Sequence, residues 1–270
     1  MGNFMIQIRL SVLRLRWPVA LLVLAQLIFA ARLAVGAEAS PLKICLLSAS
    51  AEYDSDKSLA GFQKSLESHY RVVCQMVSGK DKGEGLPGLE ALDSTDLMIV
   101  FTRRITLSPP QLGLVKKYLA SGRPVIGLRT ASHAFSNYLE FDREILGGGY
   151  QGHYGDERAS VQLSPGRGAH PVLAGVTNFN SFRLYKNPTL ADNVVVLLEG
   201  TTGANHEPVT WVREINGARI FYTSLGTQED FTQESFRRLL VNAIFWTTRR
   251  DETVLRRPAG AARQGTPIQN

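Results

Sequence analysis

Gly122-Arg-Pro-Val-Ile-Gly-Leu-Arg-Thr-Ala-Ser-His133 decides the fold class of this 270-residue chain. The run Pro124 to Leu128 reads as a buried strand that enters a sharp turn and then a helix. In α/β proteins such an elbow lifts one side chain off the carboxyl edge of a sheet, which is where a nucleophile is presented. Here the elbow position is Arg129, whose guanidinium stays protonated and cannot attack anything. The chain has a catalytic type of strand end without the usual reactive atom.

Outward from the elbow, strand and helix patterns alternate. Leu42 to Leu47 and Val72 to Val77 read as strands, with a helix from Lys57 to Tyr70 between them that puts Leu59, Phe62, Leu66 and Tyr70 on one face. Asp96 to Phe101 is an unbroken apolar run, as expected of a strand covered on both faces. Ser108-Pro-Pro opens a helix through Leu119, closed by Gly122. This alternation predicts a flavodoxin-like parallel sheet flanked by helices, with ligands at the strand carboxyl ends. The second half differs. Gly147 to Gly155 is rich in glycine and aromatic residues and is followed by short strands. These include a hairpin over Val209–Arg213 and Arg219–Ser224, with Asn216-Gly217 at its turn. A last amphipathic helix spans Gln233 to Thr247, and residues 249–270 are expected to form a flexible tail.

Residues 1–37 read as a signal peptide. Arg9, Arg14 and Arg16 precede the apolar run Pro18 to Ala31, and Ala34-Val-Gly-Ala37 offers small residues for cleavage after Ala37 or Ala39. The run is too short for a stable membrane span, so an exported protein, periplasmic or extracellular, is expected. The net charge of +6 is concentrated at the termini. Four arginines and no acids lie in residues 1–37, five arginines and two acids in 249–270, which leaves residues 38–248 near −1. A core without a basic stripe argues against nucleic-acid binding. Cys45 and Cys74 sit in two adjacent predicted strands and read as small buried hydrophobes rather than a disulfide.

Several stretches together resemble the trehalose-utilisation (ThuA-like) domain. They are Gly127-Leu-Arg-Thr-Ala131, His170-Pro-Val-Leu-Ala-Gly175, Pro208-Val-Thr-Trp-Val-Arg213, and Arg219-Ile-Phe-Tyr-Thr-Ser-Leu-Gly226 with Phe231 and Phe236-Arg-Arg-Leu-Leu240. The resemblance covers residues 42–248 and implies a class I glutamine amidotransferase-like fold, with a β-hairpin added in the C-terminal half. Relatives in that superfamily carry a Cys at the elbow and a His after a later strand; this chain has Arg129 and Thr227. Without a thiolate, covalent glutamyl chemistry is not expected. The implied function is action on, or binding of, a sugar or sugar derivative. A non-catalytic carbohydrate-binding or interaction module is the alternative.

Candidate residues follow from placement at strand ends and in the aromatic loop. Arg129 is read as an anchor for an anion or a hydroxyl, or as a structural salt bridge. His133, expected at a helix start where the dipole disfavours its positive form, and His153, in the glycine-rich loop, are the catalytic candidates. Tyr150 and Tyr154 would stack on a sugar ring, Arg103 would add positive charge after the third strand, and His170 would pack near the strand ends. Glu229 and Asp230 read either as acid/base carboxylates or as helix N-terminal stabilisers. The five histidines show no metal-ligand spacing, and nothing in the sequence names a cofactor.

Overall fold

The computed structural model describes residues 40–258, so the signal-peptide reading of residues 1–37 lies outside the described residues. The first half alternates as the sequence predicts: β1 (Leu42–Ala49), α1 (Ser55–His69), β2 (Val72–Ser78), β3 (Leu97–Thr102), α2 (Pro109–Ala120) and β4 (Val125–Leu128). The second half supplies β5 (Arg158–Leu163), β6 (Phe179–Phe182), β7 (Val195–Thr202), β8 (Asn205–Ile215) and β9 (Ala218–Thr223), then α3 (Gln228–Thr232), α4 (Glu234–Thr248) and α5 (Glu252–Leu255).

All nine strands form one sheet in the order β2-β1-β3-β4-β9-β8-β7-β5-β6. Neighbours from β2 to β9 pair in parallel, and those from β9 to β6 pair antiparallel. The sheet is therefore mixed. The strands after the elbow do not form a separate hairpin unit, because β9 pairs with β4 and its partner β8 extends the sheet outward. The β8–β9 turn is as predicted, with Asn216 and Gly217 both at positive φ (50° and 81°).

Every residue of β3 is buried, as its apolar run requires. One face of the sheet packs Cys45, Leu47, Met98 and Val100 against Val115 and Tyr118 of α2. On the other face Phe101 meets Phe231 of α3 at a centroid distance of 6.4 Å, and Phe231 in turn meets Phe62 of α1 and Phe236 of α4. Cys74 lies opposite Ile44 in the β1–β2 register, so the side chains of Cys45 and Cys74 leave opposite faces and no disulfide joins them.

Two expectations are corrected. No α-helix follows the elbow; Arg129–His133 is one 3₁₀ turn, and the next helical segment is a π-helical turn at Phe141–Leu146. Residues 249–258, assigned to a flexible tail, fold back onto the domain. Leu255 is buried, its carbonyl accepts from the Arg71 amide at 2.7 Å, and the Arg257 amide donates to the His69 carbonyl at 2.7 Å. Residues 259–270 lie outside the described residues.

Candidate functional site

The strand order reverses at β1, so the loops after β1 and β3 diverge above the carboxyl ends and open a crevice. The elbow keeps its strained geometry: Arg129 has φ of 49°, a left-handed conformation costly for a residue with a Cβ. Its carbonyl is fixed by the Tyr222 hydroxyl at 2.9 Å. The side chain does not reach open solvent. Arg129 is 1 % exposed and donates to the carbonyls of Ser224 (2.6 Å) and Arg183 (3.1 Å) and to the Tyr53 hydroxyl (3.3 Å). Its guanidinium lies between the rings of Tyr53 and Tyr185, 4.5 Å and 4.4 Å from their centroids. Among the described residues no carboxylate comes within ion-pair distance of it. The elbow arginine is thus sandwiched and held by carbonyls, in neither the open anchor nor the salt-bridge arrangement that the sequence offers.

Tyr185 arrives from the far edge of the sheet. The segment after β6 runs back across the strand ends and pairs antiparallel with the glycine-rich loop. Gln151 donates to the Lys186 carbonyl (2.9 Å), Lys186 to that of Gly152 (2.9 Å), and Tyr154 to that of Leu184 (2.9 Å). This pairing assembles a stack of rings. His133 lies on Tyr150 at 4.6 Å and 18°, Tyr150 meets Tyr185 at 4.6 Å, and His153 lies 6.4 Å from Tyr185. Four predicted residues, Arg129, His133, Tyr150 and His153, therefore come together. The glycines serve protein packing rather than a ligand: a Cβ at Gly148 would strike the Asp142 carboxylate, and one at Gly149 would strike Thr189.

His133 is set firmly neutral. Burial, then the charges of Arg104, Arg103 and Arg129, push its imidazole down to about 3. The cause is not the helix dipole expected from sequence, because His133 ends a 3₁₀ turn. Its Nδ1 sits 3.1 Å from the Ser132 hydroxyl.

Beside the stack lies a cleft of about 370 Å³ lined by Glu52, Tyr53, Asp54, Asp156, Phe182, Arg183, Thr227, Gln228 and Glu229. Glu52 bridges two arginines, Arg103 at 3.0 Å and Arg183 at 2.9 Å. Asp156 grips the same Arg183. Asp54 accepts from the Gln228 amide, and neither Asp54 nor Glu229 has a basic partner among the described residues. Sequence reasoning missed Glu52, Tyr53, Arg183 and Tyr185. The first two follow β1 at the crevice and were legible from topology; the last two depend on a pairing with no local signal.

The remaining candidates lie elsewhere or are engaged. Arg103 is consumed by Glu52 and Asp81. Tyr154 turns away to donate to Glu207 at 2.9 Å, with Lys186 over its ring. His170 packs on Trp246, 5.3 Å away. Trp246 closes α4 beside Arg219 at the start of β9, so His170 belongs to the opposite end of the sheet from the cleft. Thr227 and Asp230 form a capping box for α3, and the buried Asp230 carboxylate also takes the Gly226 amide and the Ser181 hydroxyl. Asp230 is therefore a helix-start and loop-fixing group. Among the described residues no three His, Cys, Asp or Glu side chains gather to hold a metal ion.

The family model for trehalose utilisation (ThuA) matches residues 44–247. The chain belongs to the ThuA family. Its fold is shared with ThuA-like proteins of known structure. One from Bacteroides uniformis is 18 % identical, covering 80 % of this chain and 95 % of that one, with a TM-score of 0.61. Another, from Parabacteroides merdae, is 17 % identical over 85 % and 94 % of the two chains, again at 0.61. A GMP synthase component from Thermoplasma acidophilum is 13 % identical over 76 % and 92 %, at 0.50, which places the ThuA fold with the glutamine amidotransferases. No curated protein matches the chain. In this ThuA-family chain the elbow and the loop after β9 carry Arg129 and Thr227, both engaged in holding the protein together.

Proposed function

We propose that this ThuA-family chain is an exported protein that binds a neutral sugar or sugar derivative in the cleft at the strand carboxyl ends. The lining of that cleft carries the reading. Carboxylates of Glu52, Asp54, Asp156 and Glu229 and the Gln228 amide can accept hydrogen bonds from a ring of hydroxyl groups. The Phe182 and Tyr53 rings offer apolar surface to a sugar's C–H face, and about 370 Å³ is within the range of small-molecule sites. Four carboxylates outnumber the one arginine of the lining, so a sugar acid is a poorer fit than a neutral sugar. Glutamine transfer is not supported, since the elbow has no thiol and Thr227 caps a helix. Binding without turnover is a second reading, favoured by the commitment of Arg129 and Asp230 to internal bonds.

A thermal-shift panel of neutral monosaccharides, disaccharides and sugar acids tests this reading. Neutral sugars should raise the melting temperature and sugar acids should raise it less. Glu229→Gln and Asp54→Asn should each weaken binding about tenfold, the loss of one hydrogen bond to a charged group. Absence of any shift across the panel would defeat the sugar reading. The export part rests on the basic and apolar segments of residues 1–37, and the secreted chain should begin at Glu38 or Ser40. A mature protein that still begins at Met1 would contradict it.

A further inference from the structure

The buried guanidinium of Arg129 poses a problem of charge. Taking a cation out of water is costly unless an opposite charge meets it. Among the described residues no carboxylate does, and the only ionisable groups in contact with it are the phenols of Tyr53 and Tyr185. Tyr185 is enclosed on all sides by Arg129, Tyr150, His133 and His153. Tyr53 differs, because it lines the cleft and has a second guanidinium, that of Arg183, 5.8 Å from its ring centroid. Glu52, which belongs to the same 3₁₀ turn, is already paired with Arg103 and Arg183, and Asp156 with Arg183. Asp54 turns to Gln228. None of these carboxylates supplies Arg129 with a partner.

We propose that Tyr53 is the proton-exchanging residue of the cleft, its Oη taking a proton from, and returning it to, a hydroxyl of the bound ligand. In the forward step the ligand O–H bond breaks and the Oη–H bond forms. The negative charge passes from the phenolate to the ligand oxygen on the Arg183 side of the cleft, and the reverse step restores both. Burial works against an ionised Tyr53, but the Arg129 charge and the hydrogen bonds from Arg129 and Arg183 outweigh it and bring the phenol below its ordinary value. The contrast within the chain is sharp. Each of the other seven tyrosines is pushed up, Tyr70 to about 12, with burial the leading cause at all but Tyr154, where the Glu207 hydrogen bond leads.

This inference rests on the sugar-binding reading only for the identity of the proton donor, and its first test needs no sugar. Tyrosine labelled with ¹³C at Cζ is introduced into the full chain and followed by NMR as the pH is raised. One of eight resonances should titrate ahead of the rest, disappear in Tyr53→Phe, and move to higher pH in Arg183→Met, which leaves the buried core intact. Eight resonances titrating together, or an early one that survives Tyr53→Phe, would overturn the proposal. A sugar found to bind should shift the Tyr53 midpoint and leave the others in place; a midpoint unmoved at saturation overturns the contact between Oη and ligand. If a sugar binds while Tyr53 titrates with its neighbours, this inference fails and the cleft reading stands. If Tyr53 titrates early but no sugar shifts it or the melting temperature, the sugar reading fails by itself.

Discussion

His133 shows how a single residue takes its chemistry from its surroundings. Its imidazole is held down at about 3 against 6.5 in the unfolded chain. Between those values the unfolded chain binds the extra proton and the folded one does not, so stability is full above about 6.5 and is lost progressively as the pH falls toward 3. Asp142 acts in the opposite sense. Burial raises its carboxyl to about 6, which favours the folded state as pH falls from 6 toward 3.8. The histidine shift is the larger, so the net stability should fall on acidification. His133→Phe keeps a ring against Tyr150 and should flatten this dependence in denaturant unfolding measured from pH 7 to pH 4; an unchanged slope would contradict the assignment. At this scale the sequence identified the right residue for the wrong reason. It placed His133 near Arg129 and favoured a neutral ring, yet assigned the effect to a helix dipole where burial and three arginines supply it.

Elements that sequence periodicity marks strongly are found where expected: β3 as a fully buried strand, α2 with Pro109 in its first turn, and the Asn216-Gly217 hairpin. The elbow strand was legible because Gly127 tolerates close packing from Leu146, Tyr222 and Ala131, where a Cβ would collide. What was not legible depends on long-range pairing. The strand-like contact of residues 151–154 with 184–186 carries Tyr185 and Arg183 to the crevice, and no local pattern announces it. The C-terminal segment is a second such case, since Arg and Gly content there read as tail. Its α5 docks through Glu252, which accepts the Tyr70 hydroxyl at 2.8 Å and a two-pronged bond from Arg238 at 3.0 Å. Glu252→Ala should therefore cost about 1–2 kcal/mol and lower the melting temperature by a few degrees. A melting temperature equal to wild type would show that α5 adds nothing to the fold.

At the scale of the whole molecule, one mixed sheet positions everything. Five parallel strands set a crevice where the order reverses at β1, and the antiparallel extension from β8 to β6 sends a return segment over it. The elbow, empty of a nucleophile, becomes the inner wall: Arg129 joins the ring stack on one side to Tyr53 and the cleft on the other. The candidate site is consequently shifted from the aromatic loop that sequence favoured toward the loops after β1, β6 and β9. Hydrogen–deuterium exchange on the full chain, with and without a neutral sugar that raises its melting temperature, tests this most directly. The account predicts protection in residues 50–56, 181–186 and 226–230, with residues 148–150 and 129–133 unchanged. Protection confined to 148–155 and 129–133 would contradict it and return the site to the elbow and the aromatic loop.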